Sequence, residues 1–440
     1  MPTTGAGWYS RVWSVAWPIM LSNVSVPLVG IVDTAVVGHL PNPAFIGAVA
    51  LGAVIFSFLY WGFGFLRMGT TGLIAQDLGA RDFDELRATL ARSLILAGIL
   101  GITVLVVRHP VKELAFWALE GGPRVEAFAK QYYDVRVFAA PAALVNYVVL
   151  GFVIGTQNTR SALALLLVLN VTNVLLDLLF VVGFGWGVEG VAAASVISEY
   201  SAATFGIYLM RGILSRLDGR WHSYRLFDRT RLRILVGINF NIFVRTLCLL
   251  FVFFQFTSTG ARLGEIILAA NAVLMNFHTF MAYSLDGFAH AVEALAGSAY
   301  GARNRRAFVS FVRASTVCAI LVAVTYCVVY AVFGSTIVAL VTGIAAVRER
   351  AAEYLPWLAI APLVSVWSYQ LDGVFIGTTR TVAMRNAMMI SLAVFLIAVW
   401  LFLPLWGNHG LWAALTIFMV ARAITLGLWY PRIVRDLPGA

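Results

Sequence analysis

The chain has 440 residues, of which 61% are hydrophobic and 12% charged. A soluble domain carries about 25% charge, so this chain has too little polar surface to face water on all sides, and its solvent is lipid. The formal net charge of +10 is not a nucleic-acid signal, because the arginines cluster between apolar segments, where the positive-inside rule places them.

A membrane-spanning helix needs about 20 predominantly apolar residues. Twelve segments meet that length: 12–38, 44–76, 88–107, 131–154, 161–184, 188–210, 232–257, 264–299, 308–334, 351–377, 386–405 and 409–431. The second and eighth exceed a simple span, so they are expected to tilt or project beyond the bilayer. Arg11 leads into an apolar run longer than a signal h-region, so the first segment is read as a span and not as a cleavable leader. Cys248, Cys318 and Cys327 lie in apolar stretches without metal-ligand spacing and are read as packing residues.

An ionised group at the bilayer centre costs at least about 2.5–3.5 kcal/mol, so each one needs a reason. The first segment carries Pro18 and Pro27, which remove intrahelical bonds and mark a hinge. It also carries Asp33, 22 residues after Arg11 and therefore in the outer half of an outward-running helix. No Lys or Arg lies within helical reach on the same segment, which suits a proton carrier; the alternative is a carboxylate solvated at the outer boundary. Arg67, in the second segment, is expected to pair with an acid or, alternatively, to contact an anionic substrate group.

The fifth segment places Asn170, Asn173 and Asp177 on one face by spacings of three and four. They are a cation or proton site or, for the asparagines, interhelical hydrogen-bonding glue. Ser195 and Glu199 follow at i, i+4 in the sixth segment; Glu199 points either into the same lobe or to the headgroups. In the eighth, Asp286, His290 and Glu293 share a face, and Asp372 joins them from the tenth. His290 between acids suits a proton relay; the alternative is that His290 and Glu293 reach water. Arg245 and Arg422 also fall within spans, and Arg422 is expected to snorkel to an interface.

The segment 211–233 holds seven arginines against Asp218 and Asp228, and the positive-inside rule puts it in the cytoplasm. Counting helices from there places both termini on the same side. The chain also repeats. Gly79-Ala-Arg-Asp82 returns as Gly301-Ala-Arg-Asn304, Ala140-Pro141 as Ala361-Pro362, Gly155-Thr156 as Gly377-Thr378, and Gly187-Val-Glu-Gly190 as Gly407-Asn-His-Gly410, all at offsets of 220–222. Such periodicity means two tandem units. The expected fold is therefore an all-α polytopic membrane protein of twelve transmembrane helices in two pseudo-symmetric six-helix lobes. The expected divisions are an N-lobe over 1–212, a cytoplasmic linker over 213–230 and a C-lobe over 231–440, with a substrate cleft between the lobes. No H-E-x-x-H cluster or nucleophile motif occurs, so the chain is not read as an enzyme.

Pro27-Leu-Val-Gly-Ile-Val-Asp33-Thr-Ala-Val-Val-Gly-His39 resembles the first-helix motif of the MATE (multidrug and toxic compound extrusion) transporters. Phe65-Leu-Arg67-Met-Gly-Thr-Thr-Gly-Leu-Ile-Ala-Gln76, Asp286-Gly-Phe-Ala-His-Ala-Val-Glu293 and Asp372-Gly-Val-Phe-Ile-Gly377 are similar to motifs of its DinF-like branch. The resemblance implies twelve helices in two lobes of the MATE/MOP type and export of organic, mostly cationic, lipophilic compounds in exchange for protons. Asp33 then matches the first-lobe coupling carboxylate, Asn173 and Asp177 its fifth-helix partners, and Asp372 an acid that some members use in the second lobe. Ser195 stands where relatives often carry Thr and keeps the hydroxyl. Sodium is the alternative ion, held by Asp33, Asn173, Asp177 and Ser195. Citrate-like anion export is the alternative transport, with Arg67 or Arg245 on substrate. The resemblance further implies a monomer of the inner (plasma) membrane without cofactor or nucleic-acid partner. Lipid-linked sugar flipping, as in distant relatives, requires a wide cationic cleft for which the sequence offers few buried cations.

Overall fold

The computed structural model describes residues 5–38, 44–119 and 122–438; in the first helix the side chains of residues 26–35, 37 and 38 lie outside that description. Two expected site residues, Pro27 and Asp33, therefore lie outside the described side chains. Every described element is helical. They are α1 (Gly5–Gly38), α2 (Ala44–Gly62), α3 (Phe65–Ala80), α4 (Phe83–Val106), α5 (Arg108–Ala118), α6 (Pro123–Arg136), α7 (Ala140–Gly155) and α8 (Thr159–Asp177). There follow α9 (Gly187–Leu214), α10 (Ser223–Leu226), α11 (Arg229–Arg262), α12 (Glu265–Gly301), α13 (Arg305–Val341), α14 (Ala345–Gly377), α15 (Thr381–Trp406) and α16 (Asn408–Arg435). Ten stretches are long and apolar enough to cross a membrane by length and composition. Helices α1 and α9, at 34 and 28 residues, are not among those ten but have the length that a span requires, about 20 residues.

The chain forms two compact units. One comprises Leu21–Leu78 and Asp82–Val236; the other comprises Gly237–Ala440 together with Met1–Met20 and Gly79–Arg81. In the second unit the start of α1 packs on α12, with the Trp13 and Phe288 rings 5.5 Å apart.

The two over-long predicted segments are built differently. Residues 44–76 fall in two helices, α2 and α3, separated at Phe63 and Gly64, whose amides bond back three residues to Tyr60 and Trp61 at 3.0 and 3.1 Å. Gly62 ends α2 and Gly64 directly precedes α3. The eighth segment is instead one unbroken helix of 37 residues.

The sequence repeat is written into the backbone. Among the described residues four non-glycines adopt positive φ: Arg81 (58°), Gln157 (61°), Arg303 (51°) and Thr379 (54°). Each sits at the left-handed position after a helix, and the following amide bonds back five residues: Asp82 to Asp77, Asn158 to Val153, Asn304 to Ala299 and Arg380 to Phe375, at 2.8–3.1 Å. This is the Schellman arrangement. Arg81 and Arg303 form one pair 222 residues apart, and Gln157 and Thr379 another. The next helices open alike, with Asp82 capping the Glu85 amide at 3.1 Å and Asn304 capping that of Ala307 at 2.9 Å.

Helix packing repeats as well. Gly151 and Gly155 of α7 lie against the carbonyls of Arg67 and Thr71 on α3, and Gly373 and Gly377 of α14 against those of Ala289 and Glu293 on α12. At all four a Cβ would come within 3.0 Å of that carbonyl oxygen. Small residues four apart let backbones approach in lipid, where no hydrophobic force drives helices together. The copies diverge at the repeated Ala-Pro. Before Pro141 the span is interrupted by a 3-10 turn, Val137–Ala139, whereas Pro362 lies inside continuous α14.

Candidate functional site

In the unit built from Leu21–Leu78 and Asp82–Val236, α8 carries the polar face expected of it. Asn173 is 5% exposed, and its Nδ2 donates to the Ser195 hydroxyl on α9 at 3.3 Å. Asn170, one turn earlier, donates to the Ser25 hydroxyl on α1 at 2.8 Å. Asp177 is 0% exposed and is the last residue of α8, directly before a π-helical turn at Leu178–Gly183. Single π turns inside helices recur at functional sites. The structure thus joins Asn173 to Ser195 and Asn170 to α1, and it buries Asp177 at the foot of the same face. Arg67 is half-buried in the first turn of α3.

Glu199 points into this unit, not to the headgroups. Its Oε2 accepts from Asn146 Nδ2 at 2.8 Å, and Arg136 Nη2 lies 4.0 Å from its Oε1. Asn146 and Arg136 were not singled out from sequence. Their signal was present, however: an Asn and an Arg in the fourth span beside the repeated Ala140-Pro141.

In the other unit, Asp372 of α14 receives two guanidiniums on one oxygen. Arg245 of α11 and Arg422 of α16 both donate to its Oδ2, Arg422 at 2.5 Å. Arg422 is 1% exposed. It also approaches the Met419 sulfur at 3.2 Å and the rings of Phe418 and Tyr369 at 5.5 and 5.9 Å. The expected snorkelling does not occur; a guanidinium this far inside finds a carboxylate and aromatic faces instead of water. Glu293 is 0% exposed, so it does not reach water. Asp286 and His290 are half-buried on the same helix. His278 was missed. It is 3% exposed, and among the described residues neither ring nitrogen has a hydrogen-bond partner. It lies two helical turns before Asp286 on α12, a spacing that could have drawn attention to it.

Pro18 is buried within α1, in the portion that belongs to the unit containing α11–α16.

An all-helical membrane protein with ionisable groups buried inside each of two repeated units has the organisation of a secondary transporter. The chain belongs to the MatE family, whose profile matches residues 18–179 and 242–401, one match in each half. It is 42% identical over 425 residues to DNA damage-inducible protein F of Escherichia coli strain K12, covering 97% of this chain and 92% of that protein. It is 24% identical to Protein DETOXIFICATION 44, chloroplastic, of Arabidopsis thaliana, over 95% of this chain and 81% of that one. Among solved structures, an outward-facing multidrug resistance MATE family transporter of the MOP superfamily aligns with a TM-score of 0.89 at 20% identity, over 98% and 97% of the two chains. A MOP superfamily transporter from Pyrococcus furiosus aligns with the same score at 19% identity and the same coverage. At those identities the structural likeness establishes the fold, and the sequence match establishes the family.

Proposed function

We propose that the chain is a proton-coupled antiporter of the plasma membrane, with both termini cytoplasmic, that exports lipophilic organic cations as a monomer. The observation that carries this reading is Asp177, 0% exposed at the end of a face already occupied by Asn173 and its partner Ser195. A buried carboxylate that exchanges a proton changes the charge of its surroundings by one unit in a low dielectric, where that unit matters most. Asp33 is the second carrier in this scheme. Protonation of the pair weakens the hold on a cationic substrate and releases it outward; deprotonation toward the cytoplasm restores the site. The membrane potential adds about 2.3 kcal/mol per charge per 100 mV. Relatives described as probable multidrug resistance protein NorM, for example that of Bacillus cereus at 22% identity over 93% of this chain, support a drug-like cargo.

A second reading, export of organic anions, is favoured by Arg245 and Arg422, two buried guanidiniums on one carboxylate. Reconstituted vesicles with an imposed pH gradient, with and without sodium, separate the readings. Proton-driven movement of a lipophilic cation that is lost in Asp33→Asn and Asp177→Asn is expected. Full transport by both variants at normal expression, or transport of citrate but not of cations, overturns the cation–proton scheme. Transport that follows sodium and not protons assigns Asn173, Asp177 and Ser195 to sodium.

A further inference from the structure

The segment between α9 and α11 is clamped to α4 on one side and left basic and aromatic on the other. Arg87, buried on α4, donates to the carbonyls of Leu214 and Leu217 at 2.8 and 3.0 Å. Arg92, 4% exposed, donates to the carbonyls of Arg225 and Leu226 at 2.6 and 3.2 Å and to Glu85 at 3.0 Å. Asp84 accepts the Arg220 amide at 2.7 Å and faces His222 Nε2 at 3.2 Å. Gly219, at φ 102°, runs so close that a Cβ there would lie 2.8 Å from the Cβ of Phe83, so the approach requires glycine. A loop serving only as a tether needs none of these attachments.

The acids of α4 and of its N-cap engage two of the seven arginines. Arg225 meets Asp82 at 2.8 Å and Arg231 meets Glu85 at 3.5 Å. Arg211, Arg216, Arg220, Arg229 and Arg233 are exposed, and among the described residues none of these five forms an ion pair. Between them stand Trp221, Tyr224 and Phe227, exposed by 58, 70 and 70%. Trp221 lies under the Arg87 guanidinium at 5.6 Å and Tyr224 beside the His222 ring at 5.3 Å, yet three aromatics this exposed among arginines without ion pairs suit neither bulk water nor a hydrocarbon core. They suit the layer between, where aromatic rings sit at headgroup level and arginines meet phosphates. The chain keeps them there, because the segment leads directly into α11, one of the apolar spans.

We propose that this face docks on anionic phospholipid headgroups, with Arg216, Arg220, Arg229 and Arg233 on the phosphates and Trp221 and Phe227 in the interfacial layer. Each guanidinium near an anionic leaflet contributes about fivefold in affinity. Four together contribute on the order of several hundredfold. The clamp on α4 holds the loop in one shape, so these side chains are presented together.

The test uses the full chain purified in neutral detergent and titrated with phosphatidylglycerol or phosphatidylcholine. Retained lipid is read by native mass spectrometry and stability by thermal midpoint. Phosphatidylglycerol is expected to stay bound and raise the midpoint, and phosphatidylcholine to do neither. The variant with Arg216→Gln, Arg220→Gln, Arg229→Gln and Arg233→Gln is expected to melt as the unmodified protein does without lipid, and to need several hundredfold more phosphatidylglycerol for the same shift. If that variant misfolds, brominated phosphatidylglycerol decides instead, because it should quench a component of the emission that Trp221→Phe removes. An undiminished lipid response in the fourfold variant, or a Trp221 component no better quenched by brominated phosphatidylglycerol than by brominated phosphatidylcholine, overturns the proposal. So does an equal midpoint shift from inorganic phosphate or an oligonucleotide, which would make the surface a site for soluble anions.

Discussion

Arg422 Nη2 lies 2.5 Å from Asp372 Oδ2, and Arg245 reaches the same oxygen from another helix. One carboxylate thus ties α11, α14 and α16 together inside a unit whose surroundings offer little water. The second-lobe acid that family resemblance marks for ion coupling stands in this chain as a node with two guanidiniums. That geometry gives Asp372 a holding role whatever else it does.

Removing the acid should be costly for this reason. Asp372→Asn leaves two buried guanidiniums without counter-charge, and breaking a buried pair by losing one partner costs about 3–5 kcal/mol. Thermal unfolding in detergent should show the loss, and adding Arg422→Met should recover part of it. A single variant as stable as the parent would remove the holding role.

The glycine contacts make a paired test. Gly377→Ala and Gly155→Ala push a methyl into a facing carbonyl oxygen, and overpacking of this kind costs about 1–3 kcal/mol. Gly98→Ala on α4 meets nothing within 4 Å and should be neutral or gain up to about 1 kcal/mol from helix propensity. Equal effects at the three positions would show that propensity, not packing, governs.

Ser195→Ala takes away the oxygen that Asn173 donates to. A buried amide left without its acceptor costs about 1–3 kcal/mol, whereas Ser195→Thr keeps the hydroxyl and should leave stability near the parent value. Melting curves of the two variants, with transport measured beside them, report whether the α8–α9 link matters to the fold, to ion exchange or to both.

The linker clamp predicts protease sensitivity. Arg92→Gln weakens charge-assisted hydrogen bonds worth about 1.5–3 kcal/mol each. Trypsin should then cut at Arg216 and Arg220 about tenfold faster or more, since cleavage of an opened segment follows its opening free energy. Unchanged cleavage would mean that Asp84 and Arg87 hold the segment alone.

Much of the architecture was legible because it rests on local properties of the chain. Apolar runs of about 20 residues reveal the lipid solvent and its helices, since a helix of that length crosses the bilayer and satisfies its own backbone groups. The offset near 222 predicted two copies, and the left-handed residues Arg81 and Arg303 show the same turn at both ends of that offset. The face of Asn170, Asn173 and Asp177 followed from helical spacing alone. The break at Phe63 and Gly64 was less legible, because an apolar run reads alike whether or not it bends.

Partners could not be read that way. Arg245 and Asp372 are 127 residues apart and Arg422 and Asp372 are 50 apart, so no periodicity along the chain links them. Their meeting depends on how α11, α14 and α16 pack, and the turning of Glu199 toward Asn146 depends in the same way on how α9 meets α7. The sequence by itself determined that the chain is helical, lipid-embedded and duplicated, because those traits are set by composition and by spacing along a helix. Only the tertiary structure decided which buried charge faces which, because a charge in lipid is stabilised by whatever group the packing brings within a few ångströms, however far away in the chain.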